Sequence, residues 1–227
     1  MSYPKNPTTV LFRNEFYPKG LREIQVWEHY QKYKKQIIKE AANRPIILFM
    51  YIDDEYIIKR KDSRGIIKLT ESNYDELITG RTVSMSVESG NKPNYVCIDV
   101  DASKKVAERL KQTAVADIIH SEFGRSDIFK KPRVTLSANS YHVYFYMNQR
   151  MYVDDLRIFT EKKLAMEFGG TYLINKRTHG NKINFDLTPV YKRGSHTLPY
   201  ALNHNGLICM DVTKDYKTFN RKKAMLR

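Results

Sequence analysis

Apolar and polar residues along this chain follow two periodicities, and the switches between them predict its elements. Over 20–42, Leu21, Ile24, Trp27, Tyr30, Ile37, Ile38 and Ala41 fall near helical spacing, and Pro45 predicts the stop. The apolar run 45–51 reads as a buried strand, and 55–60 as a second one after a turn at Asp53-Asp54. A short helix is expected over 73–79, closed by Gly80. The clearest strand is Tyr95-Val96-Cys97-Ile98-Asp99-Val100-Asp101, followed by a helix over 104–119 with Val106, Leu110, Val115 and Ile118 on one face. Strands over 133–136 and 141–147 flank Ser137-Ala138-Asn139-Ser140 as a hairpin-like pair. A helix over 154–168, capped by Asp154 and ended by Gly169-Gly170, precedes a strand over 182–190 and a short element over 199–202. Strands and helices without regular alternation predict an α+β fold, with an irregular α/β sheet as the alternative. No repeat or Pro/Gly/Ser-rich linker divides the chain, so residues 1–227 are expected to form one two-lobed domain, alone or within a larger protein.

Composition narrows the class. The 227 residues are 41% hydrophobic and 12% aromatic with only 10 Gly and 8 Pro, which excludes disordered and collagen-like chains. Two cysteines exclude a disulfide scaffold and a four-thiolate zinc knuckle. No apolar run approaches the roughly 20 residues that span a bilayer, and Met-Ser-Tyr-Pro-Lys lacks a signal-peptide apolar region. A soluble cytoplasmic or nucleoid-associated protein is expected, with no membrane partner.

Charge points to the partner. Thirty-nine Lys+Arg against 25 Asp+Glu give a net charge of +14, which attracts polyanions. Bases recur along the chain, as at Lys59-Arg60-Lys61 and Lys130-Lys131, interleaved with 16 tyrosines on which nucleobases can stack. Nucleic-acid binding is the expectation.

The carboxylates suggest chemistry. Alternation puts Asp99 and Asp101 on one side of their strand while Val96, Ile98 and Val100 face the packing. Two like charges about 4 Å apart repel by roughly 4 kcal/mol at an effective dielectric near 20. A divalent cation with a preference for oxygen, Mg²⁺ or Mn²⁺, turns that repulsion into ligation. The plainer reading is a pair of aspartates capping the following helix. Ile183-Asn184-Phe185-Asp186 repeats the design with one carboxylate on an apolar strand. Three such aspartates can hold two ions about a phosphate. Between them, the small polar turn at Ser137–Ser140 offers donors to phosphate oxygens, with His142 beside it.

An Asp-x-Asp strand, a Ser-containing turn ending in His, then a lone Asp on an apolar strand resembles the archaeo-eukaryotic primase (primase–polymerase) superfamily. The family's Ser-Gly-x-Gly-x-His turn reads Ser137-Ala138-Asn139-Ser140-Tyr141-His142 here, with small residues for both glycines. Thr197-Leu198-Pro199-Tyr200-Ala201-Leu202-Asn203-His204 is similar to the family's Pro-aromatic stretch after the third aspartate, with His204 one step beyond the expected basic position. Phe16-Tyr17-Pro18-Lys19-Gly20, Asn43-Arg44-Pro45 and Tyr56-Ile57-Ile58-Lys59 resemble landmarks of the polymerase domain of bacterial end-joining DNA ligases. In that domain an aromatic pair precedes the lysine, where this chain has Ile57-Ile58. The resemblance covers residues 8–212.

The resemblance implies a two-lobed fold with a mixed, mostly antiparallel sheet carrying the catalytic aspartates. It implies template-directed transfer of nucleotides onto a 3′-hydroxyl in replication priming or DNA repair, with Mg²⁺ or Mn²⁺ held by Asp99, Asp101 and Asp186. Ser137, Ser140 and His142 would grip the triphosphate, with Arg177, Lys182, Arg193, His196 and His204 as further nucleotide-binding candidates. Lys19, Lys59, Arg60 and Lys61 would meet the DNA template and primer, and a helicase or ligase partner is possible. Two rivals from other classes are a two-metal nuclease and a non-catalytic nucleic-acid-binding module.

Overall fold

The computed structural model describes residues 3–53, 55–176 and 181–226, which form a mixed α+β chain with antiparallel sheets. The chain divides into two units. One takes Met1–Glu88, Thr197–Met210 and Asn220–Arg227; the other takes Ser89–His196 and Asp211–Phe219.

The first unit opens with β1 (Val10–Leu11) paired antiparallel to β2 (Leu21–Arg22). Gly20 joins them at φ +71°, where an added Cβ would lie 2.0 Å from the Val10 side chain, so only glycine fits. Helices α1 (Glu23–Lys32) and α2 (Lys34–Ala41) follow, burying Val26, Trp27, Tyr30, Ile37 and Ala41. Strands β3 (Ile46–Ile52) and β4 (Glu55–Lys59) form a hairpin, with β5 (Lys61–Asp62) and β6 (Gly65–Ile66) paired beyond it. The one-turn helix α3 (Tyr74–Leu77) leads to β7 (Thr82–Glu88), antiparallel to β3 on its other side.

The second unit contains β8 (Tyr95–Ala102), α4 (Glu108–His120), α5 (Glu122–Arg125), β9 (Arg133–Leu136) and β10 (Tyr141–Tyr146). It continues with α6 (Val153–Phe168), β11 (Leu173–Ile174) and β12 (Ile183–Asp186), and the chain leaves this unit after His196, within β13 (Ser195–Thr197). Its five-stranded sheet has the order β11-β12-β8-β10-β9, antiparallel except for the β11–β12 pair. Helix α4 packs on β8 and β10. One sheet face carries Val96, Ile98, Val100, Val143, Phe145 and Phe185, all fully buried. Phe145 meets Phe123 edge-on at 5.0 Å, and Phe185 meets Phe168 likewise at 5.4 Å.

Several sequence expectations shift. The helix expected over 20–42 is interrupted at Tyr33, which leaves helical geometry and stacks its ring on Tyr200 at 5.6 Å. The helix expected from 104 starts at Glu108, because Ser103–Val106 forms a separate turn closed by a 3.1 Å Val106 N–H to Ser103 carbonyl bond. Tyr152, rather than Asp154, occupies the cap position of α6; Asp154 lies in its first turn, where it favours the helix dipole. The strand expected over 182–190 stops at Asp186. There the Asp186 Oδ1 accepts from the Thr188 N–H (2.8 Å) and hydroxyl (2.7 Å), opening a 3₁₀ turn through Pro189. Strand β7 was not expected from the pattern: its Thr82, Ser84 and Ser86 are polar yet buried, so the alternation conceals a strand covered on both faces.

Candidate active site

Residues opposed across an antiparallel pair share a sheet face. Asp99 is opposed by His142 of β10 on one side and by Asp186 of β12 on the other. His142 is in turn opposed by Thr135 of β9. One transverse row therefore reads Thr135, His142, Asp99, Asp186 across four strands. Asp101, two residues along β8, occupies the same face opposite Asn184. The register thus sets all three expected carboxylates on one face of two neighbouring strands. All three are half-buried, while the valines and isoleucine between them are sealed in the core.

That arrangement is poor for stability. Directly opposed residues hold their Cβ atoms about 5 Å apart, and like charges at that separation repel by roughly 3 kcal/mol at an effective dielectric of 20. One nearby cationic candidate is His142, whose Nε2 lies 3.6 Å from Asp99 Oδ2. Buried polar atoms cluster on the same face without protein partners: His142 Nδ1, Thr135 Oγ1 and Asn184 Nδ2. Each such atom costs on the order of 1–3 kcal/mol until something bonds it.

The donor set suits a hard divalent cation. Among the described residues no three His, Cys, Asp or Glu side chains are already gathered as a metal cage. Mg²⁺ asks for less than a cage, since it keeps several waters and takes one or two carboxylates together with substrate phosphates. Three carboxylates at adjoining register positions fit that demand.

The Ser137–Ser140 turn is held from both ends. The Ser137 N–H donates to the Ser140 carbonyl at 3.0 Å, and the Ser140 N–H donates to the Ser137 hydroxyl at 3.1 Å. Lys111 of α4, only 4% exposed, donates to the Asn139 carbonyl at 2.6 Å and lies 3.6 Å from Glu108. Glu108 also accepts from the Tyr141 hydroxyl at 2.5 Å. The sequence reading missed Lys111, although its spacing from Ala114, Val115 and Ile118 places it in the buried stripe of α4. Lys111→Met should cost about 1.5–3 kcal/mol, the range for a charge-assisted hydrogen bond, read as a lowered urea midpoint.

The remaining candidates fall in different places. His196 is buried beside His142, with ring centroids 6.2 Å apart, and packs edge-on to Tyr95 and Tyr144. Lys182 is exposed just before β12, and Arg193 is exposed with φ +66°. Arg177 lies outside the described residues. His204 belongs to the first unit, where its Nδ1 lies 3.2 Å from the Tyr56 hydroxyl and its ring meets Phe49 edge-on at 5.3 Å. Lys19, Arg60 and Lys61 are exposed in that unit and Lys59 is half-buried; Arg60 pairs with Glu88 at 3.2 Å.

No protein-family model matches the chain, and no curated protein matches it by sequence. Among solved structures it is similar to the polymerase domain of Mycobacterium tuberculosis Ligase D, determined in complex with DNA. The TM-score is 0.75 at 11% identity, covering 97% of this chain and 90% of that one. The fold is that of a ligase polymerase domain. Helices, sheets and chain order are therefore shared where almost nine residues in ten differ, and the resemblance read from the sequence is carried by the fold.

Proposed function

We propose that this chain is a template-directed nucleotidyltransferase, a primase or DNA polymerase that extends a 3′-hydroxyl in replication priming or DNA repair. The observation that carries the reading is the Thr135–His142–Asp99–Asp186 row with Asp101 beside it, on the sheet of a ligase-polymerase fold. Asp99, Asp101 and Asp186 hold Mg²⁺ or Mn²⁺, which when bound lowers the pKa of the attacking hydroxyl and offsets charge on the phosphates. His142 donates to a triphosphate oxygen from its buried ring, and Ser137 and Ser140 shape the turn beneath it. His196 backs the His142 ring, while Arg177, Lys182, Arg193 and His204 remain candidate cationic or polar partners of the nucleotide. No activated Ser or Cys nucleophile is needed, because phosphoryl transfer rests on positioning and charge.

The test offers primed and unprimed DNA templates with ribo- or deoxyribonucleoside triphosphates and Mn²⁺. Extension of the labelled strand supports the proposal. Shortening of the primer identifies a nuclease instead, and an unchanged primer identifies a non-catalytic binding module.

DNA contact is assigned to Lys19 and the Lys59–Lys61 run of the first unit. Replacing Lys59 and Lys61 together by Gln should reduce the slope of log affinity against log salt by about 1 for each phosphate no longer neutralised. An unaltered slope in a fluorescence-anisotropy titration places the DNA elsewhere.

A further inference from the structure

Asn184 is a buried polar residue of the carboxylate face that the proposed chemistry leaves unused, and the one directly opposed to a carboxylate of β8. It is 1% exposed, lies on β12 two residues before Asp186, and is directly opposed to Asp101. Its Oδ1 accepts from the Lys176 N–H at 3.1 Å, which fixes the sense of the amide and turns the NH₂ group away from that bond. The Nδ2 so directed has no hydrogen-bond partner. A buried amide donor left unmade is expensive, and an apolar side chain would suit a strand interior better. Its nearest register neighbour on β8 is a carboxylate. Directly opposed side chains stand within reach of one another, and carboxylates that ligate a metal are commonly held by a hydrogen bond from behind.

We infer that Asn184 is a positioning residue for Asp101: its amide donates to the carboxylate oxygen turned away from the cation and so sets the ligating oxygen. The inference rests on the proposed metal-dependent transfer at Asp99, Asp101 and Asp186. Asn184 touches neither nucleotide nor metal. With a cation in place, that donor lowers the carboxylate's rotational freedom and selects which of its oxygens ligates.

The test uses the isosteric pair Asn184→Val and Asn184→Thr, of which only the second retains a hydroxyl donor. Mn²⁺ binding is followed by loss of the free-ion electron-paramagnetic signal, with and without a non-hydrolysable nucleoside triphosphate. Thermal denaturation is run on every variant. Asn184→Val should weaken Mn²⁺ binding about 10–100-fold, the range for loss of an outer hydrogen bond to a metal ligand. Asn184→Thr should recover most of that loss while denaturing within a few degrees of the Val variant. Equal Mn²⁺ affinity in Val, Thr and parent proteins overturns the inference, as does equal weakening in both variants. Asp101→Ala separates the two levels. If it abolishes Mn²⁺ binding while the Asn184 variants bind normally, only the role of Asn184 fails. If Asp101→Ala binds Mn²⁺ as the parent does, the proposed transfer chemistry fails with it.

Discussion

Asp99→Ala is expected to lower primer extension by about three orders of magnitude or more while leaving the fold at least as stable. Asp99 is the middle of the transverse row, opposed by His142 on one strand and Asp186 on the other. Its removal takes away the carboxylate that adjoins both, and several kcal/mol of transition-state charge stabilisation correspond to roughly a thousandfold in rate. The effect on stability has the opposite sign. The Asp99–Asp186 opposition is repulsive by roughly 3 kcal/mol at most in the absence of a cation, and half-exposure screens much of it. The thermal midpoint should therefore hold or rise slightly. Single-turnover extension with Mn²⁺, read beside a melting curve, checks both halves. Extension at the parental rate removes Asp99 from the mechanism.

The parts of the site legible in the sequence are those set within one strand. Alternation alone puts Asp99 and Asp101 on a side apart from Val96, Ile98 and Val100, and the burial of β8 follows that pattern. Which strands flank β8 is a different kind of fact. That Asp186, 87 residues further along the chain, stands beside Asp99 depends on register, and a slip of one residue would turn it to the core. Family resemblance supplied that expectation where periodicity had no access to it. Asn184 stayed hidden because the strand reads as apolar with one carboxylate, so its amide looked incidental. Lys111 stayed hidden because a helix face is found by its apolar residues, and a buried lysine interrupts the signal it belongs to. Strand β7 fails for a related reason: serines and threonine in a strand predict a solvated face, whereas here both faces are covered.

Phe185 ties the core to the site most directly. It is fully buried between Asn184 and Asp186, on the opposite face of β12, and packs on Phe168 at 5.4 Å and Tyr172 at 4.8 Å. Its carbonyl accepts from the Asn175 N–H at 2.9 Å, a bond that survives any side-chain change. Phe185→Ala removes the ring and leaves a cavity that aromatic neighbours fill only in part, at a cost of about 3–5 kcal/mol. For a chain of this size that corresponds to a melting-point loss on the order of 10 °C. Activity should fall as well, because a loosened β12 no longer fixes Asp186 beside Asp99, and cooling should restore much of it. Asp186→Asn provides the contrast. Asparagine keeps an Oδ1 to accept from the Thr188 N–H and hydroxyl, so the turn and the melting point persist, while the lost charge removes extension at every temperature. A Phe185→Ala protein that melts like the parent, or an Asp186→Asn protein whose extension returns on cooling, would break the proposed division of labour between the two faces of this strand.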